Sequence, residues 1–178
     1  SDLEPLIAKP HSPDNVVPIS ELKDTKINQV CVGGCTTNSY QILKGIGAIL
    51  EGRTVSPSVS MSVSPGTKQA YEMIAREGDI GKIIGAGARI LEASCGPCIG
   101  MGQAPSTGAV SVRSFSRNFK GRCGSQDAEV YLCNPFAATV MALKGEICDP
   151  RDLGIEFELP GVPAKFLVND NLLIPPPE

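Results

Sequence analysis

The sequence predicts an α/β domain of three layers, a mostly parallel sheet with helices on both faces. Three observations carry this. Short runs rich in valine and isoleucine alternate with stretches whose apolar residues recur at helical spacing. The 178 residues suit one good core rather than two. Nineteen glycines and 15 prolines supply the many tight turns that such alternation needs.

The elements follow in order. Leu3, Leu6 and Ile7 form a short apolar piece, and turn-rich chain follows around Pro10, Pro13 and Pro18. The single histidine, His11, lies here and reads as a surface residue. Gln29-Val30-Cys31-Val32 is a strand that ends at Gly33-Gly34-Cys35-Thr36-Thr37-Asn38-Ser39. Ile42, Leu43, Ile46, Ile49 and Leu50 then define a helix, with Thr37 or Asn38 as its cap and Gly52 as its stop. Cys35 is therefore expected close to a helix N-terminus, where the dipole favours thiolate.

Val59, Met61 and Val63 alternate with serines as in a strand, which Pro65-Gly66 breaks. Ala70, Met73 and Ile74 mark a helix to Gly78, and a shorter one runs from Asp79 to Gly85. Gly85-Ala86-Gly87 follows a helix rather than a strand, so it is no nucleotide loop. Ile90-Leu91-Glu92-Ala93 reads as the strand that delivers Ser94-Cys95-Gly96-Pro97-Cys98-Ile99-Gly100. Val110 and Val112 form another strand, leading into the loop from Ser114 to Arg122. Val130-Tyr131-Leu132 is the last strand. Asn134 and Pro135 open a helix through Leu143, stopped by Gly145. The domain is expected to occupy 1–159. Residues 160–178, Pro-rich and with one apolar patch from Phe166 to Val168, read as a linker towards an absent C-terminal domain. A start at Ser1 without Met suits a piece of something longer.

Composition excludes several classes. With a net charge of −3 and a pI of about 5.3, attraction to nucleic acid or anionic membrane is not expected. No apolar run approaches the roughly 20 residues of a membrane span. Seven cysteines, at 31, 35, 95, 98, 123, 133 and 148, are an odd and scattered set, so a reducing, cytoplasmic setting is expected.

Three chemistries suit the cysteines. Cys95-Gly-Pro-Cys98 is the tetrapeptide of thioredoxin-like thiol–disulfide oxidoreductases, though Ser94 stands where those carry Trp. A four-cysteine zinc site would need a second close pair, and Cys31 lies inside a strand pattern. Cys35, Cys95 and Cys98, all in loops that follow strands, suit an iron–sulfur cluster with one iron left open. The loops at strand C-termini share one crevice in a parallel sheet, so these cysteines and the Arg117–Arg122 loop should converge there.

On three motifs the sequence resembles the cluster-bearing third domain of the aconitase family of hydro-lyases. Gly33-Gly34-Cys35-Thr36 is similar to the family's Gly-Ser-Cys-Thr-Asn loop. Ser94 to Gly100 resembles its Cys-Gly-Pro-Cys-hydrophobic-Gly loop, and Arg117-Asn118-Phe119-Lys120-Gly121-Arg122 its Asn-Arg-Asn-Phe-x-Gly-Arg segment. The resemblance implies an aconitase domain-3-like fold and a [4Fe-4S] cluster on Cys35, Cys95 and Cys98. It also implies that Arg117 and Arg122 hold a small-molecule carboxylic acid substrate, with the general base and further ligands on the remaining domains of the same enzyme. The activity implied is dehydration and rehydration of a hydroxy tri- or dicarboxylic acid. Citrate and isocitrate, interconverted via cis-aconitate, come first, with homoaconitate or isopropylmalate as alternatives. Thr37 and Ser116 depart from the family's Asn at both positions, beside the cluster. Cys31, Cys123, Cys133 and Cys148 are expected in the core, and Lys120 in solvent.

Overall fold

A computed structural model describes residues 4–171 and 173–177. Leu3, part of the apolar piece expected at the start, lies outside the described residues. Seven strands form one sheet: β1 (Leu6–Ala8), β2 (Val16–Pro18), β3 (Gln29–Gly33), β4 (Ser60–Ser64), β5 (Arg89–Ile90), β6 (Val110–Arg113) and β7 (Glu129–Leu132). Their spatial order is β2-β1-β7-β6-β3-β4-β5. The five strands from β7 to β5 are parallel, and β1 and β2 add an antiparallel edge.

Among the described residues α1 (Tyr40–Leu50) lies between β3 and β4, α2 (Lys68–Arg76) and α3 (Asp79–Gly85) lie between β4 and β5, and α4 (Pro135–Lys144) follows β7. Capping follows the sequence where the side chains are free to cap. The Asn134 carboxamide accepts from Phe136 N at 2.9 Å, and the Thr67 hydroxyl accepts from Ala70 N at 3.1 Å. At α1 the cap is Ser39 and not Thr37 or Asn38. Both expected residues are engaged elsewhere: the Thr37 hydroxyl donates to the Gly33 carbonyl, and Asn38 Nδ2 donates to Ser64 O at 2.8 Å. α1 therefore begins five residues after Cys35, beyond the first turn over which a helix dipole acts.

The strand expected at Ile90–Ala93 is also displaced. β5 is Arg89–Ile90, and the last ladder bond runs from Leu91 N to Val63 O. Its neighbour β4 stops at Ser64, before Pro65, whose ring nitrogen has no proton to donate. The Ser64 hydroxyl then takes the Glu92 carbonyl at 2.9 Å and turns the chain off the sheet.

Side chains alternate across each strand. Val30, Val32, Met61, Val63 and Val112 join residues of α1 to α4 in one apolar core. The opposite face of the same strands carries Gln29, Cys31, Ser62, Ser64, Ser111 and Arg113, all buried. There the cover is the 3-10 turn Gly96–Ile99 with the loop that follows it. Over β3, β4 and β6 one face of the sheet is thus oily and helix-covered and the other polar and loop-covered, while at β7 the second face turns apolar, with Val130 and Leu132 packed on Ala8 and Cys123.

Between 153 and 169 the chain touches the helices at several points. Leu153, Ile155, Phe157 and Leu167 pack against the core. Phe157 meets Phe136 edge-on with ring centroids 5.1 Å apart, and Phe166 meets Tyr40 at 6.0 Å. Gln41 Nε2 donates to Pro160 O at 3.1 Å, and Gln69 Nε2 to Asn169 O at 3.1 Å.

Candidate functional site

The strand order reverses between β3 and β6: the chain moves outward from β3 to β4 and β5, then crosses back to β6 and β7. Loops on the two sides of such a point diverge and leave a crevice at the strand C-termini. Cys35 follows β3, Cys95 and Cys98 follow β5, and the arginine loop follows β6. All three loops open on that edge.

Cys35 and Cys95 are exposed, and their sulfurs stand 3.9 Å apart. The Cys95 thiol is pushed up, first by its hydrogen bond to Cys35 and then by the charges of the Cys35 and Cys98 sulfurs. Cys98 is buried, and Arg122 Nη2 reaches its sulfur at 3.4 Å. Arg122 is half-buried, and its Nε has no hydrogen-bond partner. Arg117 and Lys120 are exposed, and neither has a hydrogen bond or ion pair among the described residues. The structure therefore brings Cys35 to Cys95 and Arg122 to Cys98, while Arg117 stands at the rim.

Close backbone approach fixes these loops. Gly100 has φ +86°, and a β-carbon there would lie 2.0 Å from the Cys123 carbonyl oxygen. That contact seats the cysteine loop on the arginine loop, and Cys123 Sγ reaches Cys98 O at 3.8 Å. Asn118 Nδ2 ties the arginine loop to Lys9 O at 2.8 Å and to Val130 O at 2.9 Å. His11, exposed, bridges to Phe119.

Sequence reasoning missed the buried polar side chains beneath the site. Gly33 N donates to Ser114 Oγ at 2.9 Å, joining the ends of β3 and β6. Arg113 is fully buried and donates to Pro97 O, between the two cysteines of the loop. The signal was the alternation itself, which puts Arg113 on the face of Cys31 rather than on that of Val112.

Among the described residues, no three His, Cys, Asp or Glu side chains close on one point as a single metal ion requires. Two exposed thiols are in contact, and the third sulfur, buried, lies beside the Arg122 guanidinium. A cleft of about 330 Å³ adjoins Cys35 and Thr36, with Phe166 and Leu167 over it. A larger one, about 920 Å³, lies between α2 and Asn169, Asn171 and Leu173, and none of the described residues lining it is a cysteine or arginine. Among the described residues no helix is long and apolar enough to cross a membrane.

Fold and site together define an α/β domain whose sheet edge carries thiols and guanidinium groups. Residues 1–145 match the aconitase family (aconitate hydratase), and the chain belongs to that family. It is 44% identical over 153 residues to a protein named 3-isopropylmalate dehydratase large subunit 2 from Pyrococcus furiosus, covering 85% of this chain and 40% of that protein. A 3-isopropylmalate dehydratase large subunit 1 from Methanopyrus kandleri is 43% identical over 153 residues, 85% of this chain and 36% of its own length. The large subunit from Oleidesulfovibrio alaskensis is 43% identical over 155 residues, 86% and 37% respectively. The chain thus spans about two fifths of the length of these relatives.

Proposed function

We propose that this chain is the cluster-bearing part of a hydro-lyase that removes water from, and returns it to, a hydroxy dicarboxylic acid of the isopropylmalate type. The observation that carries the reading is the meeting of Cys35 with Cys95 beside the Cys98–Arg122 contact, at the switch point of the sheet. Cys35, Cys95 and Cys98 would hold a [4Fe-4S] cluster. When bound, that group supplies a Lewis acid towards a substrate hydroxyl.

The chain's own residues do the positioning. Arg122 keeps an unpartnered buried Nε beside Cys98, and a carboxylate placed there accepts from a planar fork. Arg117, free at the rim, has the reach and charge for a second carboxylate. Proton transfer at carbon falls to groups outside this chain, which spans only part of its relatives. Those relatives are named large subunits, so the working enzyme would include further chains as well as further domains. Their names favour isopropylmalate over citrate as the acid. The thiol–disulfide alternative is disfavoured because Cys95 meets Cys35 and not Cys98, which is buried.

Anaerobic reconstitution with iron and sulfide tests the reading. Broad visible absorption is expected from the wild-type chain, and little from the Cys35/Cys95/Cys98 triple alanine variant. Equal iron uptake by both would overturn the cluster assignment. In the complete enzyme, turnover of citrate but not of isopropylmalate would overturn the substrate.

A further inference from the structure

Arg113 is a whole positive charge inside the protein. Its side chain is 0% exposed, and a guanidinium does not lose its proton in a protein. Nε donates to Ser111 Oγ at 3.0 Å and Nη1 to Pro97 O at 2.7 Å. Nη2 donates to Gln29 Oε1 at 2.8 Å and to Gln103 O at 2.7 Å. Every one of these acceptors is neutral. No carboxylate pairs with Arg113 among the described residues, unlike Lys44, which takes both Glu77 and Asp79.

Hydrogen bonds to neutral oxygens spread such a charge but do not cancel it, so a fold that keeps it has a use for it. Among the described residues no acidic side chain of the polar layer supplies the balance. The bonds of Arg113 lead instead to the cysteine loop. Pro97 lies between Cys95 and Cys98, Cys98 packs on Cys31, and Arg122 holds the Cys98 sulfur from the other side.

We propose that Arg113 is a positioning residue that serves as the built-in counter-charge for an anionic cluster held on Cys35, Cys95 and Cys98, while it clamps the Pro97 carbonyl of the loop that binds it. This rests on the cluster reading above. Three ligating thiolates would bring negative charge to an edge whose arginines have no acidic partner among the described residues, and Arg113 lies directly beneath the loop that carries two of them.

The test separates charge from bracing. Gln29→Glu would set a carboxylate on Arg113 Nη2 in place of the Gln29 oxygen that it already meets at 2.8 Å. The expected result is opposite movement of two readouts. The metal-free chain unfolds at a temperature no lower than wild type, while the reconstituted chain loses its visible absorption to a chelator at least about tenfold faster. Arg113→Gln is expected to lose the absorption as fast, and Arg113→Lys, which keeps the charge without the fork, to stay within about threefold of wild type. Equal and faster loss in Arg113→Lys and Arg113→Gln would reduce the residue to a brace. Gln29→Glu at the wild-type rate would refute the counter-charge whether or not the Arg113 variants fold. A wild-type chain that never develops the absorption would fail the cluster reading itself, a different result from either.

Discussion

Replacing Gly100 by alanine should loosen the site from its far side, by an amount that the structure separates into two parts. Gly100 sits at φ +86° and ψ 4°, where an L residue costs about 1–2 kcal/mol. The new β-carbon would also stand 2.0 Å from the Cys123 carbonyl oxygen and 2.6 Å from its carbon. That obstacle is backbone, so the two loops must part, at roughly 1–3 kcal/mol more. A total of about 3 kcal/mol lowers the melting temperature of a chain this size by about 6–12 °C. Gly102→Ala is the control: its φ is +65°, but nothing lies within 4 Å of the added carbon, so only the conformational part remains. Thermal unfolding by far-ultraviolet circular dichroism reads both. Equal shifts would refute the claim that close packing on Cys123 seats the cysteine loop, and no shift at Gly100 would refute the conformation as well.

Lys44→Met should destabilise the chain by about 2 kcal/mol at neutral pH, since it leaves the buried Asp79 with only the Lys82 ammonium at 3.3 Å. Lys44 also pairs with Glu77, and its hydrogen bond holds that carboxyl below its usual range, so the Glu77 part of the stabilisation is present above about pH 4.5 and fades as the pH falls through the lower folded value. Urea titrations at pH 7 and pH 3.5 should show the gap between variant and wild type shrink in acid, and a constant gap would contradict the assignment. Phe157→Ala should cost about 2–3 kcal/mol by removing the ring that packs on Phe136, and a change under about 0.5 kcal/mol in denaturant would mean that the segment after 150 does not hold to the helices. In the complete enzyme, at matched iron content, Arg122→Lys should lower kcat/KM at least about tenfold and Lys120→Ala less than about threefold. The reverse ranking in steady-state kinetics would place the wrong face of the loop against substrate.

The elements visible in the sequence were those whose local and tertiary preferences agree. Asn134-Pro135 and Gly145 bound α4 as read, and the serine–valine alternation of β4 named both its faces. Misplaced boundaries occurred where a side chain had a stronger engagement elsewhere. Thr37 and Asn38 are fair caps by residue type, but their bonds to Gly33 and Ser64 shape the loop that carries Cys35. The antiparallel edge strands β1 and β2 were not read because three residues with a Pro-rich turn between them carry no period. Motif order pointed to Cys35, Cys95, Cys98, Arg117 and Arg122, whose loops all follow strands of the parallel sheet. Arg113 and Ser114 escaped because their roles depend on which strand lies beside β6, and pairing of strands distant in sequence is not written in any local pattern.

The two-faced sheet explains why the site lies where it does. A parallel sheet covered on both sides usually buries apolar residues on both, and here β3, β4 and β6 do so on one side only. On the other, Gln29, Ser62, Ser64, Ser111 and Arg113 are buried polar groups, each of which would be destabilising without a partner. A helix could not supply those partners, because its own backbone donors and acceptors are already paired along its axis. An irregular loop has free carbonyls, and the chain from Glu92 to Gln103 spends them here: Glu92 O on Ser64, Pro97 O and Gln103 O on Arg113. The polar face of the sheet and the helix-free cysteine loop therefore require each other. Changing the serines and Arg113 to apolar residues would leave those carbonyls unpaired, and shortening the loop would strand the side chains beneath it. Cys95 and Cys98 are held in place by this exchange of hydrogen bonds, to which Cys98 adds its packing on Cys31 and Phe115.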